Sequence, residues 1–349
     1  MADKWIVLKF GGTSVAGRPQ WETIAALARD RQAEGFRVLL VCSAVAGVTD
    51  RLSALADAPF DPSAANDILD THRRLSRELG VPDDAWLPEG RDLLDDRLAR
   101  CRSDGHPRSR AGLLAVGEWL STRIGSAFLR QDFPAGWVDA RDALQVEPEA
   151  DLSPARQWLS AGCSASSDPE LRRRWSALEP VLVTQGFVGR MAGGEIALLG
   201  RGGSDTSAAL LAGRLEAERA EIWTDVPGLF SADPRLIPEA RLLSRLGYDE
   251  ALEMAASGAR VIHPRCIRAA AATATPLEIR DLSRHEAQGT RIGSDEAEEE
   301  GIKTITCQRS MAVMLLQNRD ARRQVGFLAG VFDVIRRRGV SIDLVATSE

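Results

Sequence analysis

Residues 5–42 read WIVLKFGGTSVAGRPQWETIAALARDRQAEGFRVLLVC, and the fold turns on this stretch. Trp5–Phe10 is an apolar run of strand length closed by Gly11-Gly12. Trp21–Glu34 sets Ile24, Leu27 and Ala28 at helical spacing and meets a stop at Gly35. Phe36–Cys42 is a second strand of the buried type. Strand, helix and strand at this spacing predict a βαβ unit, hence two parallel strands joined by a right-handed crossover.

The alternation continues along the chain. The region from Asp61 to about Leu129 is rich in charge at helical spacing and predicts helices laid over the sheet. Further strands are expected at Val181–Val183, Ile196–Leu199, Glu221–Trp223 and Leu277–Ile279, with Ala-rich helices at Thr206–Leu215 and Asp249–Ala256. This pattern predicts an α/β fold, a three-layer sandwich with helices on both faces of a mostly parallel central sheet. Asp295–Glu300 (DEAEEE) reads as an exposed acidic linker. After it come strand-like runs in Ile302–Gln317 and an amphipathic helix over Arg323–Arg338, with Val325, Leu328, Phe332 and Ile335 on one face. Val340–Ala346 reads as a closing strand. A βαβ piece of that size with open edges buries too little to stand alone, so another chain or further sequence is expected to complete it.

A chain of 349 residues, 44% hydrophobic and 27% charged, can bury a large core. The net charge of -6 gives no general attraction to nucleic acid or anionic membrane, which favours a small-molecule partner. No apolar run approaches the roughly 20 residues of a membrane span, and MADKWIVLKF is too short in apolar core for a signal peptide. Five cysteines without CxxC spacing read as idle thiols of a reducing compartment, so a cytoplasmic location is expected. The four histidines lack ligand spacing, and no metal-binding residue is expected. His106 and His263 each precede proline, which favours a rigid turn.

Three glycine corners carry the chemistry. Lys9-Phe10-Gly11-Gly12-Thr13-Ser14 ends the first strand, where inward-turned N–H groups can form an anion nest beside the Lys9 charge. Ser43–Thr49 (SAVAGVT) follows the second strand with small residues and two hydroxyls. Gly200–Asp205 (GRGGSD) opens a helix whose N-terminus favours an anion, with Ser204 or Asp205 as candidate cap and Arg201 as a fork for carboxylate or phosphate. Asp205 has the wrong sign for phosphate, so it is expected to orient a lysine or arginine or to help hold magnesium. GxxxxGK[ST], an opening GxGxxG and the HRD/DFG pair are all absent, which removes the P-loop, dinucleotide and protein-kinase readings.

KFGGTS (9–14), SAVAGVTD (43–50), GE (117–118), GRGGSDTSA (200–208), WTDVPGLFSADPR (223–235) and SGARVIHPR (257–265) stand in order along the chain. Together they resemble the amino-acid kinase family, and within it the aspartate kinases, over residues 4 to about 292. The tail resembles the first half of a ferredoxin-like ACT module. The resemblance implies a catalytic domain over 1–295 and a partial ACT regulatory domain over 302–349. It implies phosphorylation of the L-aspartate side-chain carboxylate by ATP with Mg2+, the entry to lysine, threonine and methionine synthesis. It further implies an allosteric amino acid, lysine or threonine, at the ACT region, and a homodimer where that region is complete. The texture is most similar to the aspartokinase part of proteins fused to diaminopimelate decarboxylase.

Carried onto this chain, Lys9 contacts the transferring phosphoryl group and Asp205 organises the cations around it. Ser43, Thr49, Glu118, Arg201, Gly202, Gly203 and Ser204 bind substrate, Arg201 on a carboxylate and Glu118 on the amino group. Gly11, Gly12, Thr224, Asp225, Phe230, Arg235, Arg260 and Val261, with Lys9, line the nucleotide pocket. Phe230 stands where the family often has tyrosine, and Arg260 where it often has lysine. A carboxylate acceptor with a pKa of about 4 is already anionic at neutral pH and needs no general base. The rivals are an acetylglutamate, glutamate or carbamate kinase of the same family, and a non-catalytic amino-acid sensor on a dead kinase scaffold.

Overall fold

The computed structural model describes residues 4–57, 62–147, 153–259, 261–294, 301–307, 312–316 and 326–346, apart from 339, 341 and 343. Chain contacts divide it into two compact units, Met1–Cys307 and Gln308–Glu349.

The first unit is built on an eight-stranded sheet. Its strands are β1 (Lys4–Phe10), β2 (Phe36–Cys42), β3 (Ala135–Trp137), β6 (Val181–Gln185), β9 (Ala220–Thr224), β10 (Arg245–Gly247), β11 (Leu277–Asp281) and β12 (Thr290–Gly293). Side by side they run β10-β12-β11-β9-β1-β2-β6-β3. Every neighbouring pair is parallel except β11 with β12. Two small antiparallel pairs stand apart: β4 (Val146–Glu147) with β5 (Gly162–Cys163), and β7 (Val188–Arg190) with β8 (Ile196–Leu198).

The predicted βαβ unit is present, with α1 (Arg18–Ala33) crossing between β1 and β2. Side chains alternate along each strand, so an apolar strand feeds two cores. Ile6, Leu8 and Phe10 of β1, Val38, Leu40 and Cys42 of β2, and Val181 and Val183 of β6 enter one. That core is covered by α1 and by α2 (Val48–Asp57), α3 (Pro62–Leu79), α4 (Leu87–Asp104), α5 (Pro107–Leu114) and α6 (Val116–Leu129). Trp5, Val7, Leu39, Val41 and Leu182 enter the other, beneath α9 (Gly203–Arg214), α10 (Tyr248–Ala256) and α11 (Pro264–Ala272). Two short helices, α7 (Pro154–Leu159) and α8 (Pro169–Ser176), complete the unit. Lys9 shares the parity of Trp5 and Val7, which delivers it to the face beneath α9.

Glu221 of β9 is a buried acid inside the sheet. It accepts from Arg31 Nε at 2.9 Å, Arg219 Nε at 2.9 Å and Trp223 Nε1 at 3.1 Å. Removing one member of a buried ion cluster leaves uncompensated charge. Glu221→Ala is therefore expected to destabilise the protein by about 3–5 kcal/mol in urea unfolding; an unchanged midpoint would count against this account of the cluster.

Several expectations are corrected. The strand at Ile196–Leu199 forms over Ile196–Leu198, but pairs only with β7, outside the main sheet. β3, β10 and β12 escape the sequence pattern because AGW, RLG and TRIG are short, and lie at or near the sheet edges. Neither Ser204 nor Asp205 caps α9; the cap position is Gly202, and no side chain bonds there. His106 and His263 do more than turn the chain. Each is a helix N-cap, with Nδ1 accepting from Arg108 N at 3.1 Å and Arg265 N at 3.2 Å. The acidic run 295–300 lies outside the described residues.

In the second unit the described structure is one helix, α12 (Phe327–Arg337), with Leu328 and Phe332 exposed. The expected strands are not formed at the described residues 312–316, 340, 342 or 344–346 of this unit, nor at 302–307, which belong to the first. Apolar alternation supplies a face but not a hydrogen-bonding ladder, and Ile302 and Val313 stand 91% and 94% exposed. Val325 of the predicted apolar face lies outside the described residues.

Candidate active site

All three glycine corners meet at the carboxyl ends of the parallel strands, where ligands of open α/β sheets bind. They line a cavity of about 310 Å³ that includes Lys9, Gly12, Ser43, Gly203 and Asp205. Gly11, Thr49, Glu118, Gly202 and Ser204 also line it.

Close backbone approach holds the corners together. Ser43 N donates to Phe10 O at 3.1 Å and Ala46 N to Gly12 O at 3.1 Å. A Cβ on Gly12 would lie 2.7 Å from Ala44 O, so glycine is required there for the first two corners to touch. Ser43 Oγ donates to Ser204 Oγ at 2.9 Å, joining the second corner to the third. Ser121 Oγ donates to Ser43 O at 2.8 Å and ties in α6, which carries Glu118. Gly202 has φ of 65°, a left-handed conformation, and its missing side chain leaves the space that the His263 ring fills.

The charges are specific. Lys9 Nζ lies 2.6 Å from Asp205 Oδ1, with the two side chains 11% and 15% exposed. Of the two expected roles for Asp205, orienting a lysine is the one this geometry presents. Glu118 is 3% exposed, and its Oε2 has no hydrogen-bond partner. Burial pushes its carboxyl up to about 8, opposed by hydrogen bonds from the backbone of Ala44 and of Glu118 itself. A half-satisfied buried carboxyl beside an open cavity is suited to receive a cation.

Arg201 is exposed, does not line the cavity, and forms no ion pair among the described residues. Of the expected nucleotide residues, Lys9, Gly11 and Gly12 line the cavity. Phe10 and Trp223 are register partners, so Thr224 and Asp225 follow beside Gly11. Thr224 Oγ1 donates to Asp225 Oδ1 at 3.1 Å. Phe230 and Val261 are half-buried, while Arg235 has a side chain 87% exposed and pairs with Asp233 at 3.1 Å. None of these five lines the cavity. Arg260 lies outside the described residues.

The sequence reading names Gly200 only as part of the third corner and gives no site role to Phe187, His263 or Arg265. Phe187 and Gly200 line the cavity. Phe187 is a non-glycine residue at φ of 67°, held by its N–H donating to Ser207 Oγ at 2.8 Å and its carbonyl accepting from Leu199 N at 2.9 Å. The signal for it was the strand-then-glycine run TQGF. His263 packs on Gly202, and Arg265 anchors the approach to the third corner. Arg265 Nη1 donates to Leu199 O at 2.5 Å and Ser160 Oγ at 3.2 Å, and Nη2 donates to Ala161 O. Arg265→Ala strands two buried carbonyls and is expected to cost about 2 kcal/mol and raise the substrate KM several-fold. Steady-state kinetics with a thermal melt would check this; wild-type values for both would remove the anchoring role.

The sequence profile of the amino acid kinase family matches residues 4–281. The chain belongs to the amino acid kinase family. It is 32% identical over 355 residues to lysine-sensitive aspartokinase 3 of Escherichia coli, covering 99% of this chain and 76% of that protein. It is also 32% identical to the bifunctional aspartokinase/homoserine dehydrogenase of Haemophilus influenzae, over 98% of this chain but 43% of that longer protein. Among solved structures, E. coli aspartokinase III in complex with aspartate and ADP superposes with a TM-score of 0.78 at 29% identity, covering 99% of this chain and 77% of that one. Among the described residues no helix is long and apolar enough to cross a membrane. The kinase motifs read from sequence and the parallel-sheet architecture are thus both those of this family.

Proposed function

We propose that this chain is an aspartate kinase, transferring the γ-phosphoryl group of ATP to the side-chain carboxylate of L-aspartate. One observation carries the reading: the Lys9–Asp205 pair lines one cavity together with Glu118, whose buried Oε2 has no hydrogen-bond partner. The likeness to aspartokinases over nearly the whole chain supports it. Glu118 receives the substrate ammonium, and the hydroxyls of Ser43, Thr49 and Ser204 surround the rest of the amino acid. Arg201 reaches from the rim to a substrate carboxylate.

Two anions must then be brought together. A carboxylate oxygen attacks the γ-phosphorus, the bond from phosphorus to the β–γ bridging oxygen breaks, and ADP leaves with that electron pair. Lys9 neutralises the phosphoryl oxygens as charge builds, held in place by Asp205. The N–H groups of Gly11, Gly12 and Gly203 supply fixed donors, and Thr224, Asp225, Phe230, Arg235, Arg260 and Val261 bind the nucleotide. Among the described residues no three His, Cys, Asp or Glu side chains cluster around a metal position, and Asp205 is engaged by Lys9. Magnesium therefore suits this site as a companion of the nucleotide phosphates, whose charge it would neutralise.

Regulation by an amino acid such as lysine or threonine, and pairing into a homodimer, are assigned by the same reading to the region 302–349. An ADP-release assay with L-aspartate, L-glutamate, N-acetylglutamate and carbamate tests the substrate. Aspartate is expected to turn over fastest; faster turnover of another acceptor would overturn the choice, and no turnover of any would favour a sensor.

A further inference from the structure

A second cavity, of about 500 Å³, opens between α4, the start of α5 and the β7–β8 turn. Arg97, Arg100 and Arg108 line it, against the carboxylates of Asp104 and Glu195. These charges do not cancel in pairs. Arg100 takes Asp96 at 2.9 Å, leaving Arg97 with that same carboxylate at 4.0 Å. Asp104 is used by His106 N at 2.9 Å and Ser109 Oγ at 2.7 Å. Arg108 stands 3.9 Å from both Asp104 and Glu195, beyond hydrogen-bond reach of either. Among the described residues, then, two guanidinium groups face one concavity without a hydrogen-bonded acceptor.

Arg97 is the more constrained of the two. Its Nε is buried and unpartnered, and its side chain, 27% exposed, lies over Gly112, where a Cβ would sit 3.3 Å from Arg97 Cδ. Burial lowers its pKa most; Asp96 opposes this, and Arg100 and Arg141 lower it further. Two guanidinium forks with carboxylates no closer than 3.9 Å and no hydrogen-bonded acceptor, in a space larger than an inorganic ion, match the phosphate group of a small organic phosphate.

We propose that this cavity is a second anion site, binding the phosphate group of a small phosphorylated metabolite through Arg97 and Arg108. It is separate from the Lys9 cavity, and the two share no lining residue. An anion here bridges α4 and α5 to the β7–β8 turn. Those segments lead directly into Glu118 of α6 and into the Gly200–Ser204 corner.

Inorganic phosphate and glycerol 3-phosphate serve as probes, titrated by calorimetry at constant ionic strength against chloride. The full chain is compared as wild type, Lys9→Met, Arg108→Met, Arg97→Met/Arg108→Met and Glu195→Gln. Binding is expected in wild type and Lys9→Met, at least tenfold weaker in both arginine variants, and tighter in Glu195→Gln, which removes the competing carboxylate. Tighter binding of glycerol 3-phosphate than of phosphate supports an organic ligand. Hydrogen exchange is expected to slow across 107–112 and 194–196 on binding. Arg108 is half exposed, so Arg108→Met alone decides the matter if the double variant fails to fold. No binding beyond chloride, loss of binding in Lys9→Met alone, or equal affinity in Arg108→Met would each overturn the site. Equal or weaker binding of glycerol 3-phosphate would overturn the organic ligand.

Discussion

Replacing Lys9 by methionine is expected to lower kcat by about 10³-fold while leaving the chain folded. Lys9 is a largely buried cation lining the cavity, and a preorganised donor aimed at developing charge is worth more there than one free in solvent. The substitution has a second consequence. Asp205 lies 2.6 Å from Lys9 and is largely buried, so it is left as an uncompensated charge. The single variant should lose about 3 kcal/mol of stability, near the lower end for a broken buried pair because both side chains retain some exposure. Lys9→Met/Asp205→Asn should recover most of that stability and none of the activity. Full activity in Lys9→Met would remove its role, and a double variant less stable than the single would remove the pairing argument.

Glu118→Gln carries the second large effect, and its signature is pH dependence. In the free protein the carboxyl titrates near pH 8, above its ordinary value of 4.5, because burial disfavours the anion. An ammonium group requires the anion, so substrate binding below pH 8 must release a proton. The aspartate KM is therefore expected to fall about tenfold per pH unit from pH 6 to 8 and to level off above. In Glu118→Gln the slope should vanish, with KM at pH 8 raised at least thirtyfold, on the order of one charge-assisted hydrogen bond. A KM independent of pH in the wild type would place the ammonium elsewhere.

The same shift has a stability side. A folded-state pKa raised above the unfolded one means that the native protein holds a proton the unfolded chain has released. The contribution is complete below about pH 4.5, declines through the window, and is lost as pH rises through 8. Glu118→Gln should thus melt higher than wild type at pH 8.5 and much the same at pH 4.5. His72 has the opposite sign. Burial lowers its pKa to about 4, so its contribution is present above pH 6.5 and is lost as pH falls towards 4. Both proteins carry the His72 contribution, so their melting curves are expected to coincide near pH 4.5, to diverge progressively as pH rises towards 8, and to keep a constant separation above it.

Much of this site was legible because period-two alternation and glycine corners are local properties. WIVLKF sends its odd and even residues to two cores, and the parity that buries Trp5 and Val7 sets Lys9 under α9. Contacts made at long range left no such mark. Arg265 supports Leu199 from 66 residues away, and Phe187 acquires its left-handed backbone from Ser207 and Leu199. Arg201 was assigned to a substrate carboxylate by residue type, yet its side chain is exposed, in a corner whose Gly202 turns left-handed against the His263 ring. At the described residues beyond 302 the expected strands are not formed for a related reason: a pattern can specify a face, but pairing needs a partner strand.

Trapping of the acyl phosphate by hydroxylamine tests the central claim most directly. With L-aspartate and Mg-ATP, wild-type protein is expected to accumulate aspartyl hydroxamate in step with ADP, and Lys9→Met to form almost none. ADP release without hydroxamate, or equal hydroxamate from Lys9→Met, would contradict phosphoryl transfer to the aspartate carboxylate at this site.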